Sequence, residues 1–123
     1  MPAATPTYTV RAVHCDHTAD DETVYQALRR ATAALDGAWS RLGRAKTIAI
    51  KFNQDKASQR VVMFKNQRQQ LVSDSVARAT LRLLRERTDA RLYCADVSFY
   101  TMYNGETVAN TTNIAHILRE FEV

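Results

Sequence analysis

Two short runs of strand-forming residues, separated by a single amphipathic segment, constrain this chain more than any other feature. Residues 47–52, with Ile48, Ala49, Ile50 and Phe52, are apolar and too brief for a helix, and they run between Lys46 and Asn53. Residues 91–96 form a second such run, which closes on Asp96. Between them Val72, Val76, Ala79, Thr80, Leu83 and Leu84 recur at three- and four-residue spacing, giving a helix with one apolar face. Ser73 suits its N-cap, Asp74 its first turn, and Arg82, Arg85 and Arg87 its end, where each charge complements the helix dipole. Strand, helix and strand in this order call for a right-handed crossover and a parallel pair.

The flanks extend the pattern. Residues 7–13 alternate β-branched and aromatic residues with small or polar ones, which predicts a strand. Thr18 and Asp21 have capping-box spacing, Val24, Ala27, Leu28, Ala31 and Leu35 mark a helix face, and Gly37 suits its C-terminal cap. Residues 38–43, with Trp39 and Leu42, read as a short helical turn. Thr111 or Thr112 opens a last helix carrying Ile114, Ile117, Leu118 and Phe121. The expected fold class is therefore α/β: a βαβαβα unit of three-layer type with a small, mainly parallel sheet. Residues 1–123 are expected to form a single α/β domain or the N-terminal fragment of a larger one, with a flexible leader over residues 1–6. Three strands would leave faces and edges uncovered, so completion by downstream sequence or by oligomerisation is expected. The connection from Asn53 to Val72 is long for a strand-to-helix loop and predicts an extra element, an edge strand over 61–64.

Composition narrows the function classes. Hydrophobic residues at 46% and charged residues at 24% are globular values. The 17 basic against 13 acidic side chains give a formal charge of +4, a weak preference for anionic ligands. No dense basic stripe with interleaved aromatics signals nucleic acid. The N-terminal residues lack a signal-peptide pattern and no run approaches the roughly 20 apolar residues of a membrane span, so a cytoplasmic location is expected. Three glycines exclude a dinucleotide fingerprint, and there is no serine elbow, HExxH or CxxC, so no reaction can be assigned.

In open parallel sheets, ligands bind beyond the carboxyl ends of the strands. That places Lys51 and Asn53 after one strand and Asp96 after another, and these are the candidate ligand-binding residues together with Arg60. Lys51 offers a positive point charge for a phosphate or carboxylate, Asn53 can both donate and accept, and Asp96 can bind a metal or a hydroxyl. The plainer readings are a lysine reaching past the sheet edge to water and an aspartate capping a turn. The loop beyond Asn53 adds Lys56, Arg60, Lys65 and Arg68 against the single acid Asp55, either an anion-attracting edge or a solvated loop. His14, Cys15, His17 and Cys94 are of zinc-ligand type, but their spacing matches no strong template. Ser73, Ser75, Thr111 and Thr112 stand near helix starts, where capping is a sufficient role. Phe99, Tyr100, Met102 and Tyr103 would floor a pocket or cover the incomplete domain.

The run Thr47-Ile48-Ala49-Ile50-Lys51-Phe52-Asn53, the helix beyond Val72 and the strand from Leu92 to Asp96 resemble the domain of unknown function 362. In that family a strand ends in lysine, a small residue and asparagine, and a helix then leads to a strand ending in aspartate. The resemblance spans about Val24 to Val123 and corresponds to the N-terminal part of a longer domain. It implies an α/β fold, carries Lys51, Asn53 and Asp96 over as pocket residues, and suggests an association with iron–sulfur ferredoxin-like segments. Phe52 stands where the family tends to have proline, Ser75 where its helix tends to begin with proline, and no cluster-binding cysteines follow. The cofactor is thus not specified.

The leading expectation is an α/β domain that receives an anionic small molecule, a phosphate or carboxylate, at the carboxyl edge of its sheet. An alternative is a noncatalytic module that assembles with itself or with a partner. A third is a metal or redox accessory protein using His14, Cys15, His17 and Cys94.

Overall fold

The computed structural model describes residues 10–96 and 111–123. In chain order the elements are α1 (Asp21–Thr32), α2 (Asp36–Arg44), β1 (Thr47–Lys51), β2 (Met63–Phe64), β3 (Gln67–Arg68), α3 (Asp74–Arg85), β4 (Arg91–Ala95) and α4 (Ala115–Glu120). Strands β1 and β4 pair in parallel, with Thr47 opposite Arg91 and Lys51 opposite Ala95, across a crossover that contains α3. The fold is α/β, built on a parallel pair.

Helix α3 forms where the apolar spacing predicts. Ser73 Oγ accepts the Val76 amide at its N-cap, and Asp74 stands in the first turn. The helix is buried on two sides. Ala77, Leu81 and Leu84 join Ile48, Phe52, Leu92, Ile114 and Ile117 in the main core. Ala79 and Leu83 turn to Tyr25 of α1, with Val24, Leu28 and Trp39 beside them. Sheet, α3 and α1 are therefore successive layers. Removing this much apolar surface from water is the main driving force for the arrangement. Trp39 links α2 to both clusters, and its indole N–H donates at 2.8 Å to the Thr32 carbonyl at the end of α1, which also accepts the Leu35 amide at 3.0 Å.

Several local expectations need correction. Residues 10–13, the described part of the expected first strand, are not in a strand, and Val10 is 91% exposed. A local turn comes next in the chain, where Asp16 Oδ1 accepts from both the amide and the hydroxyl of Thr18, at 2.8 and 2.6 Å. The N-cap of α1 is accordingly Asp20, which accepts the Thr23 amide at 2.8 Å, rather than Thr18. Gly37 lies inside α2 instead of capping α1. Residues 115–120 carry the last helix, so Thr111 and Thr112 precede it by several positions.

The long connection after β1 holds a 3-10 turn, Ser58–Arg60, and a hairpin, β2 to β3, in place of a lone edge strand. Lys65 and Asn66 form its two-residue loop with φ of 48° and 61°, the left-handed pair that a type I′ turn requires. One face of the parallel pair is uncovered. Thr47, Ala49 and Lys51 on β1, and Arg91, Tyr93 and Ala95 on β4, are exposed, because α3 and α4 pack on the opposite face and α1 stacks behind α3. Among the described residues no helix is long and apolar enough to cross a membrane.

Candidate functional site

Parallel pairing in this register brings Lys51, the last residue of β1, beside the end of β4, one step from Asp96. Lys51 Nζ lies 3.0 Å from Asp96 Oδ1, and the lysine side chain is 60% exposed whereas the aspartate is 6% exposed. The other carboxylate oxygen accepts the backbone N–H groups of Gln54 at 2.9 Å and Asp55 at 3.2 Å. A carboxylate held by two amides and an ammonium is satisfied despite its burial, and it fixes the chain as it leaves β1.

Asn53 closes the other side. Lys51 Nζ donates to its Oδ1 at 3.4 Å, its side-chain amide donates to the Gln70 carbonyl, and its backbone carbonyl accepts from the Val72 amide at 2.7 Å. The long connection is therefore pinned at its far end to the residue from which it departs. Lys56 adds a second tie, donating to Gln70 Oε1 at 2.9 Å.

Asn113 was not among the residues that sequence pattern singles out. Its side-chain N–H groups donate to the carbonyls of Gln54 at 2.8 Å, Lys56 at 2.7 Å and Thr111 at 2.9 Å. Asp96 thus takes the amides of Gln54 and Asp55 while Asn113 takes the carbonyls of Gln54 and Lys56, so two side chains from distant elements mould one loop. The signal available was weak: an asparagine after two threonines reads as a helix start, although bonding to nearby backbone is what asparagine does best outside helices. Asp55 stood out in the sequence only for its charge. Both of its carboxylate oxygens, and the amide oxygen of Gln54, are enclosed without a hydrogen-bond partner among the described residues.

An open pocket of about 250 Å³ adjoins the Lys51–Asp96 pair and is lined by Ala49, Ile50, Lys51, Ala95 and Asp96. The exposed face of the sheet forms its floor. Lys51, Asn53 and Asp96 are therefore brought together at this rim. Arg60 sits exposed at the end of the 3-10 turn, farther along the same connection.

Other cations of the connection have different duties. Arg68 is 16% exposed and pairs with Asp74 while donating to the carbonyls of Val72 and Asn113, so it latches the hairpin to α3. Lys65 lies over the Phe64 ring at the hairpin tip.

His14, Cys15 and His17 stand in the segment before α1, with His17 Nδ1 3.4 Å from Asp16. Cys15 and His17 border a separate cavity of about 240 Å³ with Val24, Ser73 and Val76. Cys94 is on β4, packed against the main core, where burial raises its thiol pKa and the nearby Asp96 charge adds to the rise. Among the described residues no group of three or more histidine, cysteine or acidic side chains is gathered to hold a metal ion. Ser73 caps α3 and Ser75 Oγ donates to Asp21 at 2.5 Å, both structural uses. Phe99, Tyr100, Met102 and Tyr103 lie outside the described residues. No family model, curated protein or solved structure matches this chain.

Proposed function

We propose that this domain binds a small anionic molecule at the carboxyl rim of its parallel strands, with Lys51 as the contact to the anion. One observation carries the reading. The Lys51 ammonium is anchored by Asp96 and Asn53 beside an open pocket, yet its side chain stays 60% exposed. An ammonium has three N–H donors, and those two anchors engage two of them, so one remains for a ligand oxygen. Asp96 and Asn53 then serve to position Lys51 and to shape the 53–56 turn. The likeness to the domain of unknown function 362 belongs to the same reading, since Lys51, Asn53 and Asp96 are the residues it carries over.

A screen of phosphorylated and carboxylated metabolites tests this. Ligands should raise the melting temperature of the native chain and leave Lys51→Ala unmoved. Equal shifts in both proteins would remove Lys51 from the site.

The assembly alternative draws on a different observation, the exposed sheet face bearing Thr47, Tyr93 and Arg91. Light scattering separates the two readings. A dimer that Tyr93→Glu dissociates and Lys51→Ala leaves intact would favour assembly.

A further inference from the structure

Resting on the anion reading above, we infer that the ligand is a monocarboxylate with a flat apolar body, and not a phosphate ester. The pocket offers its occupant one cationic group at one end. Its remaining lining is Ala49, Ile50 and Ala95, with Asp96 already engaged by Lys51 and two backbone amides. Ala49 and Ala95 are small, exposed and on the same face, because Ala49 pairs with Tyr93 and Lys51 with Ala95 in the parallel register. They make a shallow apolar ledge that leads to the ammonium.

Charge argues the same way. Asp96 offsets the Lys51 charge at 3.0 Å, so the pair is close to neutral as a unit. A dianionic phosphate gives up more hydration than a carboxylate to reach the rim, and it finds there one remaining lysine N–H beside a pair that is already close to neutral. A carboxylate needs only one strong donor here, its second oxygen can stay in water at the open mouth, and its apolar body gains by covering the alanines. The volume, about 250 Å³, lies just below the usual range for small-molecule sites and suits an occupant the size of one ring.

Calorimetric or NMR titration of the full chain with acetate, benzoate and inorganic phosphate tests the inference, using the native protein, Ala95→Leu and Lys51→Ala. Benzoate should bind about tenfold or more tightly than acetate, through apolar contact alone, and phosphate should bind most weakly. Ala95→Leu fills the ledge and should remove the benzoate advantage, so that benzoate and acetate bind that variant about equally. Ala49→Leu serves the same purpose if Ala95→Leu fails to fold by circular dichroism. Lys51→Ala should lose both carboxylates. Phosphate binding at least as tightly as benzoate, or benzoate indifferent to both leucine variants, overturns this inference while the anion reading stands. No binding of any of the three anions overturns both.

Discussion

Lys51 Nζ stands 3.0 Å from Asp96 Oδ1, so the ends of two strands far apart in sequence are joined by one ion pair with very unequal burial. The inequality separates the two residues' roles. Asp96 holds structure and Lys51 presents a charge.

That division predicts unequal costs. Asp96→Ala strips the amides of Gln54 and Asp55 of their acceptor and should cost about 3 kcal/mol, since each amide left without a partner in a buried turn is penalised. Lys51→Ala leaves the carboxylate its two amide donors and removes a largely solvated group, so it should cost about 1 kcal/mol or less. Urea denaturation of the two variants checks this, and equal losses would refute the division.

Asn113→Ala leaves three carbonyls without their side-chain donor and should cost about 2 kcal/mol. Asn113→Asp should cost more, because it brings a carboxylate against those oxygens. Hydrogen exchange should quicken at Lys56 and Asn113, whose amides donate to the Thr111 and Gln54 carbonyls. An Asn113→Ala protein with unchanged exchange at both amides would show that the turn holds its own shape.

Between α1 and the end of α3, the Tyr25 hydroxyl donates to Glu86 at 2.5 Å and Arg82 covers the ring at 3.7 Å. The hydrogen bond from Tyr25, with help from Arg82, lowers the Glu86 carboxyl below its ordinary 4.5. The same bond to Glu86 raises the phenol above its ordinary 10.0. A depressed carboxyl contributes stability above its unfolded pKa and loses it as pH falls through the folded value. A raised phenol contributes below its unfolded pKa and loses it as pH rises through the folded value. The contact should therefore be at full strength between about pH 4.5 and 10. Tyr25→Phe should flatten the stability profile at both ends, measured by denaturation across pH. A native-shaped profile in Tyr25→Phe would contradict the assignment.

Ile117 is completely buried in the main core, although it lies on the short terminal helix α4. Ile117→Ala should cost about 2–5 kcal/mol, as core truncations do. Val76, also on an apolar helix stripe but 42% exposed, should tolerate alanine within about 0.5 kcal/mol. Comparable losses at the two sites would show that α4 is not part of the core.

The central α/β unit was legible because strand, crossover helix and strand have local signatures: brief apolar runs, three- and four-residue spacing, and the Ser73 cap. The meeting of Lys51, Asn53 and Asp96 followed from parallel topology alone. What local patterning could not supply was tertiary choice. Residues 10–13 alternate like a strand, but Val10 and Val13 are exposed and the Asp16–Thr18 turn lies just beyond them. Gly37 looked like a helix stop, yet the Trp39 indole ties α2 to the end of α1 and the glycine falls within the second helix. Asn113 had no pattern of its own, because its three acceptors belong to backbone brought near by folding.

The most direct test of the Lys51 rim is an NMR titration of the native chain with benzoate, followed at every backbone amide. Saturable shifts should concentrate at residues 49–55 and 94–96 and be absent in Lys51→Ala. Shifts that persist in Lys51→Ala, or that centre on the cavity beside Cys15 and Val76, would contradict a lysine-anchored site.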